Sequence, residues 1–149
     1  MADAIELTTF AAPDTDAMHA LLAANDLPPE GIDALHDTTV IARMNDKIVG
    51  CAALELYDDA ALLRSVAVRE DVRDRGLGRR LVHEILARAR AADVRYLYLL
   101  TLTAESWFPR FGFEAIDRLE APESVRRSDE FTTLCPDTAV LMRLQLSRP

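Results

Sequence analysis

The segment LLRSVAVREDVRDRGLGRRLVHEIL, residues 62–86, changes character halfway along. Its first half is apolar and runs out at Val66-Ala67-Val68, as a strand does. From Gly76 onward, Leu77, Leu81, Val82, Ile85, Leu86 and Ala89 fall three and four apart, the stripe of an amphipathic helix reaching Ala91. A strand, an arginine-rich loop and a helix therefore follow one another. Gly76 and Gly78 let backbone approach a ligand without a Cβ in the way. The free N–H groups at the helix start, with the positive end of its dipole, favour an anion. Arg73, Arg75 and Arg79 add positive charge around it.

Outward from this segment the chain alternates between strand and helix signals. IELTTF (5–10) alternates as a strand, and Asp14 opens a helical stretch with Met18, Leu21 and Leu22 that ends before Pro28-Pro29. A short helical piece follows at Ile32–Leu35. TTVIARM (38–44), a turn at Asn45-Asp46 and KIVGCAALELY (47–57) form a hairpin, and Asp58-Asp59 turn the chain into ALLRSVAV (61–68). VRYLYLLTL (94–102) is nearly continuous apolar strand, the pattern of a buried position. ESWFPRF predicts a short helix, GFEAIDRL (112–119) a strand, 122–130 a helix with Pro122 in its first position, and TAVLMRLQL (138–146) a closing strand. The order indicates one α/β domain, residues 1–149, around a mixed, mostly antiparallel sheet of six or seven strands flanked by helices.

Composition narrows the function. At 149 residues the chain is long enough to bury a core, and 50% hydrophobic with 28% charged residues is ordinary globular usage. A net charge of −8 argues against nucleic acid as a partner. No stretch is long and apolar enough to span a bilayer. The start, MADAIELTTF, has neither a basic n-region nor an apolar h-region, so a soluble, cytoplasmic product is expected. Lys47 is the only lysine among 17 basic residues, a bias that fits either a salt-loving host or a GC-rich genome. Cys51 and Cys135 lack disulfide or zinc spacing, and His19, His36 and His83 share no ligand spacing, so no metal is expected.

The anion follows from what the loop lacks. A kinase-type phosphate loop needs G-K-[ST] and a dinucleotide fingerprint needs G-x-G-x-x-G; neither is present. What stands here is Arg73-x-x-Gly76-x-Gly78 after Val66-Ala67-Val68, with a further apolar strand and a Gly112-Phe113 pair downstream. This arrangement resembles the R/Q-x-x-G-x-G/A pyrophosphate loop of the GNAT acetyltransferases, and the element order matches that family along essentially the whole chain.

The resemblance implies acetyl-CoA as co-substrate. Val66, Ala67 and Val68 would pair with the pantetheine arm as another strand would. Backbone N–H groups of Arg73, Asp74, Arg75, Gly76, Leu77, Gly78 and Arg79 would cradle the pyrophosphate. The strands at 62–68 and 94–101 would splay to admit the cofactor, and WFPRFGF (107–113), with Phe108, would pack beside the thioester. The implied reaction is direct attack of a neutral amine on the thioester carbon in a ternary complex. A backbone N–H near Val66 would stabilise the oxyanion.

The chain also departs from the family. The tyrosine often used as the acid falls at Phe108, and the asparagine often found earlier falls at Thr101. Water, Ser106, Thr101 or Cys135 are the available substitutes. Glu55 is the candidate base, although alternation sets it opposite Leu54 and Leu56, which leaves a solvent-facing glutamate as the competing reading. Arg64 is a candidate fork for an acceptor carboxylate or a salt-bridged surface arginine, and Trp107 lines the acceptor pocket or joins the core with Phe108, Phe111 and Phe113. Asp58 and Asp59 read as turn residues rather than catalysts, and Cys135 as an inert thiol.

LLRSVAV, YLLT, FPRFGF and EFTTLCPDTAVLM together resemble a GNAT subgroup named for association with arsenic-resistance genes. That implies a small amino-acid-like acceptor, an organoarsenical or phosphinate relative of glutamate, acetylated on its α-amine. The competing readings are a non-catalytic acyl-CoA sensor, favoured by Phe108, and a peptide or protein N-acetyltransferase. The family's use of terminal strands in dimers makes TAVLMRLQL a candidate homodimer element.

Overall fold

Two aspartates in left-handed backbone end the two longer helices, and these stops set where the following segments begin. In the computed structural model, which describes residues 4–128, 131–132 and 138–146, helix α1 (Thr15–Ala24) stops at Asp26, φ 56°. The Asp26 N–H bonds back to Ala23 O and the Leu27 N–H to Leu22 O, a Schellman closure. Helix α2 (Leu77–Ala91) repeats the pattern, with Asp93 at φ 61°, Asp93 N to Arg90 O and Val94 N to Ala89 O. Val94 is thereby consumed as the buried residue after the cap, so strand β5 starts at Tyr96 rather than 94.

The strands are β1 (Ile5–Thr9), β2 (Thr39–Met44), β3 (Lys47–Tyr57), β4 (Ala60–Val68), β5 (Tyr96–Thr101), β6 (Glu114–Ala115) and β7 (Val140–Gln145). They form an open mixed sheet of order β1-β2-β3-β4-β5-β7-β6. The pair β4–β5 is parallel, while β1–β2, β2–β3, β5–β7 and β6–β7 are antiparallel. Asn45 (φ 53°) and Asp46 (φ 64°) form the two-residue hairpin turn between β2 and β3, where left-handed residues match strand twist.

Contacts divide the chain into two compact units: the chain up to Leu54 with Ser65–Arg88, and Glu55–Arg64 with the chain from Ala89 onward. In the first, Phe10, Met18, Leu21, Leu22, Ile32, Ile41, Cys51, Ala53 and Ala67 form a core. Gly50 lets α2 approach β3 closely: a Cβ there would meet Leu81 at 3.0 Å, Leu77 at 3.2 Å and the Ala67 carbonyl at 3.2 Å. A buried Asp14 carboxylate accepts from Arg43 Nη2 (2.7 Å) and from the Ala11 N–H (2.9 Å), joining the α1 entry to β2.

In the second unit, Ala60, Leu62, Tyr98, Ala121, Val125 and Leu141 form the core. The β4–β5 ladder pairs Ala60 with Tyr96, Ala61 with Leu97 and Leu62 with Tyr98, and ends there, whereas β5 continues against β7 as far as Thr101.

Two expectations need correction. The strand foreseen over 112–119 is only Glu114–Ala115, because Gly112 is left-handed (φ 99°) and Asp117 caps a 3₁₀ turn over Arg118–Glu120. Asp117 Oδ1 accepts from Leu119 N while Glu120 Oε2 accepts from Asp117 N, a reciprocal capping box that stops the strand. Of the helix foreseen at 122–130, whose last two residues lie outside the described ones, the described part is a single turn, α3 (Glu123–Arg126), with Pro122 as its N-cap rather than its first residue. Among the described residues no helix is long and apolar enough to cross a membrane.

Candidate functional site

The loop between β4 and α2 in the first unit carries the anion-binding features. The first helical bond runs from Arg80 N to Gly76 O, so Gly76 is the N-cap and the N–H groups of Leu77, Gly78 and Arg79 precede it. An N-cap is usually Ser, Thr, Asp or Asn, whose side-chain oxygen covers those N–H groups. Glycine cannot, and at φ 78° it holds a turn that side chains adopt only under strain. Around it the backbone is open: a Cβ on Gly76 would meet nothing within 4 Å. Asp74 is left-handed too, at φ 65°. Helix start, glycine cap and open space together suit a diphosphate.

The loop arginines divide their work. Arg73, foreseen as a cradle residue, is exposed but folds its side chain back on the chain: Nε donates to Val68 O (3.1 Å) and Nη2 to Asn25 Oδ1 (2.7 Å). Asn25 in turn donates from Nδ2 to Leu21 O, so one amide closes α1 and holds the loop. Asn25 was not foreseen from the sequence, since an asparagine after a helix signals only a cap. Arg75 and Arg79 remain exposed beside the helix start. Val66 and Val68 are half-buried and Ala67 buried, as for strand residues with one covered face.

In the second unit the structure brings Glu55 and Arg64 together. Arg64 Nη1 donates to Glu55 Oε1 at 2.9 Å, with the Arg64 side chain 2% exposed and that of Glu55 14%. The Tyr57 hydroxyl also bonds to the carboxylate, from its Oε2 side. Glu55 is therefore not solvent-facing, and Arg64 is salt-bridged, as one reading had it, but is not at the surface, because its side chain is buried against the carboxylate. Glu55 shares a face with Tyr57, while on the other face Leu54 is buried and Leu56, nearer the strand end, is exposed. Tyr57 went unremarked in the sequence, although the i, i+2 spacing from Glu55 on a strand was the available signal.

The aromatic residues of the second unit form one cluster. Trp107 meets Phe108 and Phe111 edge-on at 5.0 Å each, and Phe108 meets Phe113 at 5.7 Å. Phe108 and Phe113 are buried, while Trp107 and Phe111 are half-buried. The Arg110 guanidinium lies over the Trp107 ring at 5.3 Å. Of the substitute acids, Thr101 Oγ1 accepts from Ala104 N at 2.9 Å, Ser106 is exposed, and Cys135 lies outside the described residues. Asp58, at φ 54°, is a turn residue. No group of three or more metal-ligating side chains occurs among the described residues. His19 pairs with Asp33 at 2.8 Å and His36 stacks on Phe10.

Residues 36–115 match the acetyltransferase (GNAT) domain family. An uncharacterized N-acetyltransferase of Chlorobaculum tepidum is 32% identical over 97 residues, 64% of this chain and 60% of that protein. Amino-acid acetyltransferases of Azotobacter vinelandii and Pseudomonas fluorescens are 39% and 40% identical over 85 and 78 residues. Those matches take in 54% and 50% of this chain but 20% and 18% of the relatives, so the chain spans less than two thirds of these proteins. N-acetylglutamate synthase from Neisseria gonorrhoeae, complexed with coenzyme A and N-acetyl-glutamate, has the same fold. It superposes with a TM-score of 0.83 at 22% identity, over 99% of this chain and 36% of that one. The ribosomal-protein-S18-alanine N-acetyltransferase of Escherichia coli does so with 0.77 at 20%, over 98% and 96%. The family match runs from the approach to β2 through the glycine-capped helix to β6, more than half of the molecule, and the chain belongs to the GNAT acetyltransferase family.

Proposed function

We propose that this chain is an acetyl-CoA-dependent N-acetyltransferase acting on the amine of a small amino-acid-like acceptor. The observation that carries it is the glycine-capped start of α2, where Gly76 leaves the N–H groups of Leu77, Gly78 and Arg79 uncapped beside Arg75 and Arg79. These groups would hold the diphosphate of coenzyme A, with backbone of Val66–Val68 along its pantetheine arm. Similarity to amino-acid acetyltransferases supports the acceptor class.

In this reading the acceptor nitrogen attacks the acetyl carbon, the N–C bond forms and the C–S bond breaks. The thiolate departs and the ammonium proton passes to Glu55 through water. A carboxylate has about four lone-pair sites, so the bonds from Arg64 and Tyr57 orient Glu55 and leave acceptor capacity for that proton. Phe108 cannot protonate the thiolate; water does so, and Glu55 returns the proton it took to the hydroxide left behind. Trp107 and Phe108 would line the acetyl end. Within the amino-acid class, the motifs shared with the arsenic-associated subgroup direct the acceptor panel to glutamate and its phosphinate and organoarsenical relatives. The buried Phe108 favours one second reading, an acyl-CoA sensor without turnover.

Thermal unfolding with and without acetyl-CoA, followed by release of free thiol in the presence of an amine panel, tests both. A ligand at a hundred times its Kd stabilises by about 2.7 kcal/mol. For a domain of this size that is on the order of 5–10 °C. Such a shift, lost in an Arg75→Gln/Arg79→Gln variant, together with thiol release on adding an amino acid, supports the enzyme. A shift without release across the panel supports the sensor, and no shift in the folded protein sinks both.

A further inference from the structure

Six of the seven described non-glycine residues with positive φ are aspartate or asparagine in turns and loops. The seventh, Ser65, sits inside strand β4 at φ 58° and is buried. A left-handed L-residue is strained by its Cβ, and a serine in a strand keeps that conformation only where its surroundings impose it. It immediately precedes Val66–Val68.

Three consecutive residues of β3 pack along this part of β4. Val49 O accepts from the Arg69 N–H at 2.7 Å. Gly50 backs so closely onto β4 that a Cβ would lie 3.2 Å from Ala67 O. Cys51 Sγ donates to the Ser65 carbonyl at 3.1 Å, both residues being buried. The Ala67 N–H faces the same sulfur. Burial pushes the Cys51 thiol up to about 12, so it stays protonated and able to donate at neutral pH. The sulfur thus donates to the carbonyl of the strained residue, with the Ala67 N–H on the far side of Val66.

We propose that Cys51 is a positioning residue for cofactor binding: its S–H holds Ser65 in the left-handed conformation that presents the Val66–Val68 backbone to acetyl-CoA. This rests on the assignment of Val66–Val68 to the pantetheine arm. Cys51 acts through the strand and touches neither substrate.

The test is the acetyl-CoA dissociation constant, by titration calorimetry, for wild type, Cys51→Val, Cys51→Ala, Cys51→Ser and Ile85→Val, with melting temperatures and acceptor KM alongside. One hydrogen bond of about 1 kcal/mol corresponds to roughly a fivefold change. Cys51→Val and Cys51→Ala remove the donor and weaken acetyl-CoA about fivefold with acceptor KM unchanged. Cys51→Ser, whose hydroxyl donates to the same carbonyl, restores binding to within about twofold. Ile85→Val, a core change in α2, lowers the melting temperature without changing acetyl-CoA affinity. Wild-type affinity in both donorless variants, or a serine variant as weak as they are, overturns the proposal. Absence of acetyl-CoA binding in wild type would instead remove the assignment beneath it. Should Cys51→Val not fold, the alanine and serine variants carry the comparison.

Discussion

Arg64 Nη1 donates to Glu55 Oε1 at 2.9 Å, joining the end of β3 to β4 through an ion pair whose arginine side chain is 2% exposed. A guanidinium buried this far is tolerated only with its counter-charge in place, because an isolated charge loses its hydration without compensation. The candidate base is therefore also the partner of a buried cation.

Glu55→Gln keeps a carbonyl oxygen for Arg64 but removes its counter-charge, so it is expected to melt lower, by about 3 kcal/mol of stability. Where folded, it retains acetyl-CoA KM and loses on the order of 10²-fold in kcat, the range of a general base. Arg64→Met strands the carboxylate and costs about 3 kcal/mol, whereas Glu55→Leu/Arg64→Met recovers much of that loss. Steady-state kinetics and denaturant melts read the two effects separately.

Asn25 and Arg73 couple the end of α1 to the cofactor loop through the 2.7 Å bond from Arg73 Nη2. Asn25→Ala is expected to lower acetyl-CoA affinity about fivefold, the equivalent of one hydrogen bond. Asn25→Asp keeps the accepting oxygen but loses the bond to Leu21 O, so it preserves affinity while lowering the melting temperature. Calorimetric titration of both variants decides it; equal affinities in Asn25→Ala and wild type would contradict the coupling.

Asp14 connects the α1 entry to β2. Burial raises its pKa, but the hydrogen bonds from Arg43 and the Ala11 N–H, with the charges of Arg43 and His36, outweigh that and hold it below the usual value of 3.8. A carboxyl depressed in the folded state adds stability above its unfolded pKa and loses it as pH falls through the folded one. Asp14→Asn is expected to melt about 4–8 °C lower at pH 7, for roughly 2 kcal/mol of lost charge-assisted bonding. The gap should begin to narrow below about pH 4, where the carboxyl of the unfolded chain protonates, and close as pH falls through the lower folded pKa of Asp14. Melting curves from pH 3 to 8 measure it.

Asp26 and Asp93 hold the left-handed positions after α1 and α2, where glycine carries no Cβ penalty. Asp26→Gly and Asp93→Gly are each expected to stabilise by about 0.5–1 kcal/mol, or roughly 1–4 °C. Thermal melts of the single variants check this, and the double variant reads whether the two effects add.

Local chemistry carried much of this molecule in plain view. The period change at Gly76 predicts a strand, a loop and a helix, and the helix found is Leu77–Ala91. Asn45-Asp46 announces its hairpin because few residue types accept two positive φ angles in succession. The D-x-x-E capping box at Asp117–Glu120 was equally local but went unread, and a strand was foreseen where a turn stands.

The element order, the helix start with its glycine cap and the arginines around it followed from sequence alone, because turn residues, periodicity and charge act over a few positions along the chain. Partnership did not follow. That Glu55 meets Arg64, that Arg73 turns from the loop to Asn25, and that Cys51 grips Ser65 depend on which residues two strands or two loops set opposite each other. Separations of 9, 48 and 14 residues are closed by strand pairing and core packing, and only the folded chain sets that register.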